Sequence, residues 1–181
     1  MLLDSRHSVL LLVDLQEKLI PVMHEPAPVI ANSLILLTAA GRLGVPTIVT
    51  EQYPQGLGPT VPAIASRLQS REAVYAKLTF SAAADPATMA RLRQSRRTQV
   101  VIAGLEAHVC VMQTAIGLVQ AGYQAFVVAD ATTSRRPQSA ELGLERLRQN
   151  GVSIMTTEMA LFEWMGRAGT DEFREISRLI R

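Results

Sequence analysis

A chain of 181 residues with 48% hydrophobic and 19% charged side chains can enclose one sizeable core and is short for two ordinary domains, so residues 1–181 are read as one domain. Its scattered Pro and Gly exclude a disordered or fibrous polypeptide, and its net charge of +2, on arginines that form no basic arm, gives no support for nucleic-acid binding. The first apolar run stops at Asp14 with no small-residue cleavage signal behind it, and the single cysteine has no internal partner, a pattern read as cytoplasmic, with neither signal peptide nor membrane span.

Val9 to Val13 is a short continuous apolar run ended by a charge, the pattern of a strand buried on both faces of a parallel sheet. From Ala27 to Leu43 the residues Ile30, Leu34, Leu37 and Ala40 recur at helical spacing, with Gly44 at the C-cap. Val45 to Thr50 reads as the second strand, and Glu51 to Pro62, rich in Pro and Gly without periodicity, as a long loop of the kind that carries function. Ala73 to Lys77 is a third strand. Asp85-Pro86 supplies an N-cap and an N1 proline for a helix to Gln94. Gln99 to Ala103 is a fourth strand, Val109 to Gln120 a nearly all-apolar buried helix, and Gln124 to Ala129 a fifth strand. Pro137 to Gln149 is amphipathic, Val152 to Met155 is a sixth strand, and Glu158 to Ile180 is helical with a break at Gly166 to Gly169. Strands alternating with helices predict an α/β fold, an open parallel sheet of doubly wound type that binds ligands beyond the carboxyl ends of its strands.

Three reactive groups fall at that edge: Asp14 after the first strand, Lys77 ending the third, and Cys110 after the fourth. A lone cysteine beside an apolar helix is ordinarily core packing, but in a helix's first turn the N–H groups and dipole stabilise a thiolate and lower its pKa. Asp14 alone reads equally as a turn former; ending an apolar strand, it needs a partner close by. Of the 18 basic residues only Lys18 and Lys77 are lysines, so Lys77 stands out as a compact ammonium chosen where arginine is the rule. The three histidines, His7, His24 and His108, are far apart and show no zinc-ligand spacing, and no Gly-x-Ser-x-Gly elbow is present, so neither a metal site nor a serine hydrolase is expected. His108, two residues before Cys110, reads as a turn residue with a satisfied imidazole, a pocket wall or an auxiliary proton carrier.

The segments Leu11-Leu-Val-Asp14-Leu-Gln16, Lys77, and Gly104-Leu-Glu-Ala-His-Val-Cys110-Val resemble the isochorismatase-like cysteine hydrolases along the whole chain. Together with Thr50-Glu-Gln-Tyr-Pro-Gln-Gly-Leu-Gly-Pro-Thr60 they are similar to its metal-free branch, which includes the YcaC-like and isochorismatase domain-containing proteins. The resemblance implies a three-layer α/β/α fold on a six-stranded parallel sheet and a catalytic triad of Asp14, Lys77 and Cys110. It also implies a cis peptide at Leu105–Glu106 and an oxyanion hole from the backbone N–H groups of Glu106 and Cys110. The zinc-binding nicotinamidases carry an Asp-x-His and a further His where this chain has Glu51, Gln52 and Tyr53, and true isochorismatases lack the cysteine. The expected activity is therefore hydrolysis of a small amide-like substrate through a thioester, with no cofactor and no metal. Gln16, Glu51, Gln52, Tyr53 and His108 are the candidate substrate contacts. The other reading is a non-catalytic or redox-sensing homo-oligomer of the same fold, whose apolar Phe162, Trp164, Met165 and Phe173 either dock a second subunit or close the chain's own core.

Overall fold

The computed structural model describes residues 1–68, 70 and 73–180. In chain order its elements are β1 (Ser8–Val13), α1 (Pro26–Arg42), β2 (Thr47–Gln52), α2 (Pro54–Leu57), α3 (Pro62–Ala65) and β3 (Val74–Lys77). There follow α4 (Pro86–Ser95), β4 (Gln99–Leu105), a π-helical turn at Ala107–Val111 that runs into α5 (Met112–Gln120), and β5 (Gln124–Thr133). The chain finishes with α6 (Pro137–Gln149), β6 (Ser153–Met155), α7 (Thr157–Met165) and α8 (Asp171–Ile176).

The strands form a six-stranded sheet in the order β3-β2-β1-β4-β5-β6, with every pairing parallel. Starting from β1 the chain builds outward to β3, then returns to place β4 on the other flank of β1. The strand order therefore reverses between β1 and β4, where the helices diverge and leave a crevice at the carboxyl edge.

Alternation along the fully buried β1 divides the core into two layers. Leu10 and Leu12 pack with Leu36 of α1 and with Leu161 and Trp164 of α7, while Val9, Leu11 and Val13 pack with Leu92 of α4 and Val111, Ala115 and Leu118 around α5. A strand covered on both faces has no use for a polar residue, which is why its sequence is apolar until it ends. Trp164 closes the chain's own core, its indole N–H donating to Ser8 Oγ at 3.0 Å; Met165 packs beside it, and Phe162 is exposed.

Local signals account for most boundaries. Asp85 caps α4 by accepting the Thr88 N–H at 2.8 Å, with Pro86 at the first helical position. Several boundaries differ from the sequence reading by one or two residues, and three places differ in kind. β2 starts two residues late and runs on to Gln52, because Glu51 and Gln52 pair with Ala76 and Lys77 of β3; the loop expected from Glu51 is thus part strand and part helix α2. The helix expected from Val109 begins instead with the π-helical turn. β5 continues past Asp130 to Thr133, since the β4 pairing shifts from Ile102↔Val127 to Gly104↔Thr132 and takes up the extra residues as a bulge. Asp130 itself faces α7, where its carboxylate accepts the Thr157 N–H and hydroxyl at 2.8 and 2.9 Å.

Candidate active site

β1, β3 and the turn after β4 each deliver one of the three reactive groups to the crevice. Asp14 leaves β1 with φ 55°, a left-handed conformation that Asp tolerates better than most residues, and its carboxylate is buried. Lys77 ends β3 and reaches across β2, so that its Nζ donates to Asp14 Oδ2 at 2.8 Å, to Gln52 Oε1 at 2.7 Å and to the Phe80 carbonyl at 3.2 Å. An ammonium has three N–H donors, and all three are used. The other carboxylate oxygen, Asp14 Oδ1, accepts the Thr50 hydroxyl at 2.8 Å. The ion pair is dry, with both side chains at 1% exposure or less.

Cys110 lies in the π-helical turn, 6% exposed, with its thiol near enough to Asp14 for the two groups to act on each other's charge. Burial pushes the thiol up to about 12, the Asp14 charge adds to this, and Lys77 opposes it. The expectation that the helix's first turn lowers this pKa is thus corrected. Desolvation and a neighbouring anion outweigh a helix start that begins irregularly and holds the sulfur inside. Burial likewise raises Asp14, against the pull of Lys77 and Thr50, making it a stronger base than a solvated carboxylate.

The turn carrying the cysteine is fixed by backbone. Gly104 has φ 138°, and a Cβ there would stand 2.1 Å from the Val13 carbonyl oxygen, so only glycine lets β4 approach the end of β1 this closely. Glu106 has φ 58°, and its carbonyl accepts the N–H groups of Val109 at 2.9 Å and Val111 at 3.3 Å, gripping the residues on either side of Cys110. The cis bond expected at Leu105–Glu106 is absent: the peptide is trans, and the positive φ values of Gly104 and Glu106 turn the chain instead. On the outer side Gly143 of α6 packs against His108, where a Cβ would come within 2.9 Å of His108 Cα.

The expected substrate contacts fall into two groups. Gln16 is fully buried, its Nε2 donating to the carbonyls of Gln52 at 3.0 Å and Gly58 at 2.7 Å and its Oε1 accepting the Gln52 N–H at 2.7 Å, so it braces the β2 end and has no polar atom left for a ligand. Gln52 is likewise spent, accepting from Lys77 and donating to the Leu78 carbonyl at 2.9 Å. Glu51 Oε1 accepts the Thr60 N–H and hydroxyl, both at 2.7 Å, closing the loop over α2. Tyr53 is half exposed. His108 Nδ1 lies 2.9 Å from Ser134 Oγ, with the ring partly open to solvent. Thr50, Ser134 and Arg135 were not singled out by the sequence. Thr50 alone had a local signal, a hydroxyl closing the apolar run of the second strand.

Among the described residues no group of His, Cys, Asp and Glu stands together as a metal-holding cluster. Two clefts, of about 510 and 410 Å³, open at the opposite, amino edge, around Thr47, Tyr75 and Arg91 and around Arg93, Arg96 and Tyr123. Neither reaches Cys110, which stands at the carboxyl edge.

A doubly wound parallel sheet with a carboxylate, an ammonium and a thiol gathered at its switch point defines the class of protein, an α/β fold with its reactive groups at the carboxyl edge. The Isochorismatase domain family matches residues 8–159, and the chain belongs to that family. It is 37% identical over 178 residues to isochorismatase domain-containing protein 2 of Danio rerio, covering 98% of this chain and 89% of that one. The Bos taurus protein of the same name is 39% identical over 176 residues, covering 96% and 83%. Among solved structures, the MAR1 ribonuclease from Caenorhabditis elegans superposes with a TM-score of 0.93 at 34% identity, covering 99% of this chain and 92% of that one. The Escherichia coli YcaC gene product, an octameric hydrolase of unknown specificity, does so at 0.88 and 25% identity, covering 99% and 87%.

Proposed function

We propose that this isochorismatase-family chain is a cysteine hydrolase acting on a small amide-like C–N bond. The observation that carries the reading is the buried Lys77 Nζ–Asp14 pair at 2.8 Å at the sheet's switch point, with the Cys110 thiol near enough for the Asp14 charge to act on it. In the resting site the thiol keeps its proton. As substrate enters, Asp14 takes that proton, the sulfur attacks the carbonyl carbon, and the oxygen's charge is received by the backbone N–H groups of Glu106 and Cys110. Asp14 returns the proton to the departing amine as the C–N bond breaks. It then deprotonates the water that hydrolyses the thioester. Lys77 holds Asp14 in place and balances its charge throughout.

The proton-retaining thiol also favours a second reading, a quiet cysteine in a scaffolding or redox-sensing oligomer. Against it stands the carboxylate beside the sulfur, since a packing thiol needs no buried base and ion pair next to it. Turnover of a small-amide panel separates the two, with mass spectrometry for an acyl adduct on Cys110 and RNA included because the worm neighbour is called a ribonuclease. Amide turnover that disappears in Cys110→Ala supports the hydrolase. A Cys110→Ala variant with full turnover overturns it.

The proposal extends to setting. The whole chain 1–181 acts as one domain in the cytoplasm; no helix among the described residues is long and apolar enough to cross a membrane. Tyr53, Leu78 and Phe80, each more than half exposed, surround Lys77 and form an apolar rim suited to a second copy of the chain. The octameric state named for the bacterial neighbour favours the same homo-oligomer.

A further inference from the structure

Glu106 does two separate jobs. Its backbone grips the cysteine turn; its side chain is a carboxylate at 10% exposure beside the crevice. Oε1 is paired with Arg135 Nε at 2.5 Å on the solvent side, where the arginine is 60% exposed. Oε2 is buried and receives no hydrogen bond from the described residues. His108 Nδ1 stands 3.5 Å from it and is engaged with Ser134 Oγ at 2.9 Å. Among the described residues the other buried side-chain polar atoms without partners are the hydroxyls of Ser33, Thr132 and Ser177, neutral groups that cost far less to leave bare than a carboxylate oxygen. A charged acceptor left bare in the turn that carries the nucleophile calls for a donor that arrives with the ligand.

We propose that Glu106 is the specificity-determining residue of this site, its Oε2 accepting an N–H from the substrate, which is therefore a small amide bearing a second nitrogen group, best a cationic amino or amidino group. The inference rests on the cysteine hydrolase reading above. It also gives docking a chemical consequence. The Glu106 charge reaches Cys110 and contributes to holding the thiol protonated, so a cationic substituent that neutralises it removes part of the opposition to forming the thiolate, at the moment substrate is in place. An anionic substrate meets the reverse: an added negative charge in a site already holding Asp14 and Glu106.

Charge selectivity at Cys110 can be read without knowing the substrate. The full-length protein and its Glu106→Gln variant are treated with 2-bromoethylamine, iodoacetamide and iodoacetate, each rate being divided by that of the same reagent with a free thiol. Adducts are followed by intact mass spectrometry, and a Cys110→Ser variant confirms the position. The wild type is expected to favour the amine over the acetate, and Glu106→Gln to reduce that ratio about tenfold, corresponding to about 1.4 kcal/mol of discrimination. Any general change in thiol acidity cancels in the ratio. A ratio unchanged by the substitution overturns the proposal, as does exclusion of all three reagents, because a site that admits substrate admits molecules of this size. In the amide panel, amino-bearing members are expected to lose kcat/KM in Glu106→Gln more than neutral isosteres. Turnover surviving in Cys110→Ala overturns the hydrolase reading instead, and leaves the charge ratio to stand or fall separately.

Discussion

On the β2 and β3 side of Cys110, both Asp14 oxygens and all three Lys77 protons have partners, supplied by Thr50, Gln52, Phe80 and one another. On the β5 side, Glu106 is tied by one oxygen to an exposed arginine and leaves its other oxygen without a donor. The first side is closed, dry and fixed before any ligand arrives, as proton transfer over hydrogen-bond distances requires. The second is partly open and electrostatically unfinished, as recognition of a variable group requires. One short turn, Glu106 to Cys110, joins them.

The sharpest way to break the comparison is on the closed side. Lys77→Met strands a buried carboxylate and is expected to cost roughly 3–5 kcal/mol in urea denaturation along with all hydrolysis, while Asp14→Asn combined with Lys77→Met recovers much of the stability and none of the activity. A double variant as unstable as Lys77→Met would show that the pair is not the source of the loss. Gly104→Ala is next: its Cβ meets the Val13 oxygen at 2.1 Å, and with the positive φ an expected loss of about 2–3 kcal/mol should appear in the thermal midpoint, against about 1 kcal/mol or less at Gly151, where φ is also positive but nothing lies within 4 Å. Gln52→Leu removes one Lys77 acceptor, with an expected cost of about 1–3 kcal/mol and a fall in kcat larger than any change in KM.

The protonated thiol has its own signature. The folded pKa is raised from 9.0 to about 12, so the folded state holds this proton more tightly than the unfolded state, and the resulting stability is present below pH 9 and lost as pH rises toward 12. The wild type is therefore expected to lose about 1 kcal/mol relative to Cys110→Ala between pH 9 and 10, measured by denaturant titration at each pH. Parallel curves for the two proteins would mean that the thiol titrates normally. Smallest is Arg135→Ala on the open side. The arginine is 60% exposed and its removal lets water reach Glu106 Oε1, so the expected loss in the same titration is about 1 kcal/mol or less.

Much of this organisation was legible in the order of residues. Apolar runs ending in Asp14 and Lys77 place those groups at one edge of a parallel sheet whatever the side-chain details, and Asp85-Pro86 and Pro137 mark helix starts through local chemistry alone. What was hidden depends on contacts between distant positions. The sequence stops β5 at Ala129 because Asp130 interrupts the apolar run, yet that carboxylate is accommodated by Thr157, 27 residues away. Gln16 and Gln52 look like ligands for substrate because amides at a strand end usually face solvent; here Gln16 binds the Gln52 backbone, and Gln52 binds Lys77 and the Leu78 carbonyl. The thiol's acidity was misjudged because helix position is visible in a sequence and depth is not.

The close approach at Gly104 sets a limit on how this site can diverge. Because the end of the Asp14 strand and the start of the Cys110 turn touch through main-chain atoms, the separation between base and sulfur is a property of the sheet and not of any exchangeable side chain. Residues around Glu106, His108 and Arg135 can be replaced to suit another ligand while that separation stays as it is. The scaffold thus lets specificity drift with the chemistry held constant, and a change at the glycine would alter both together.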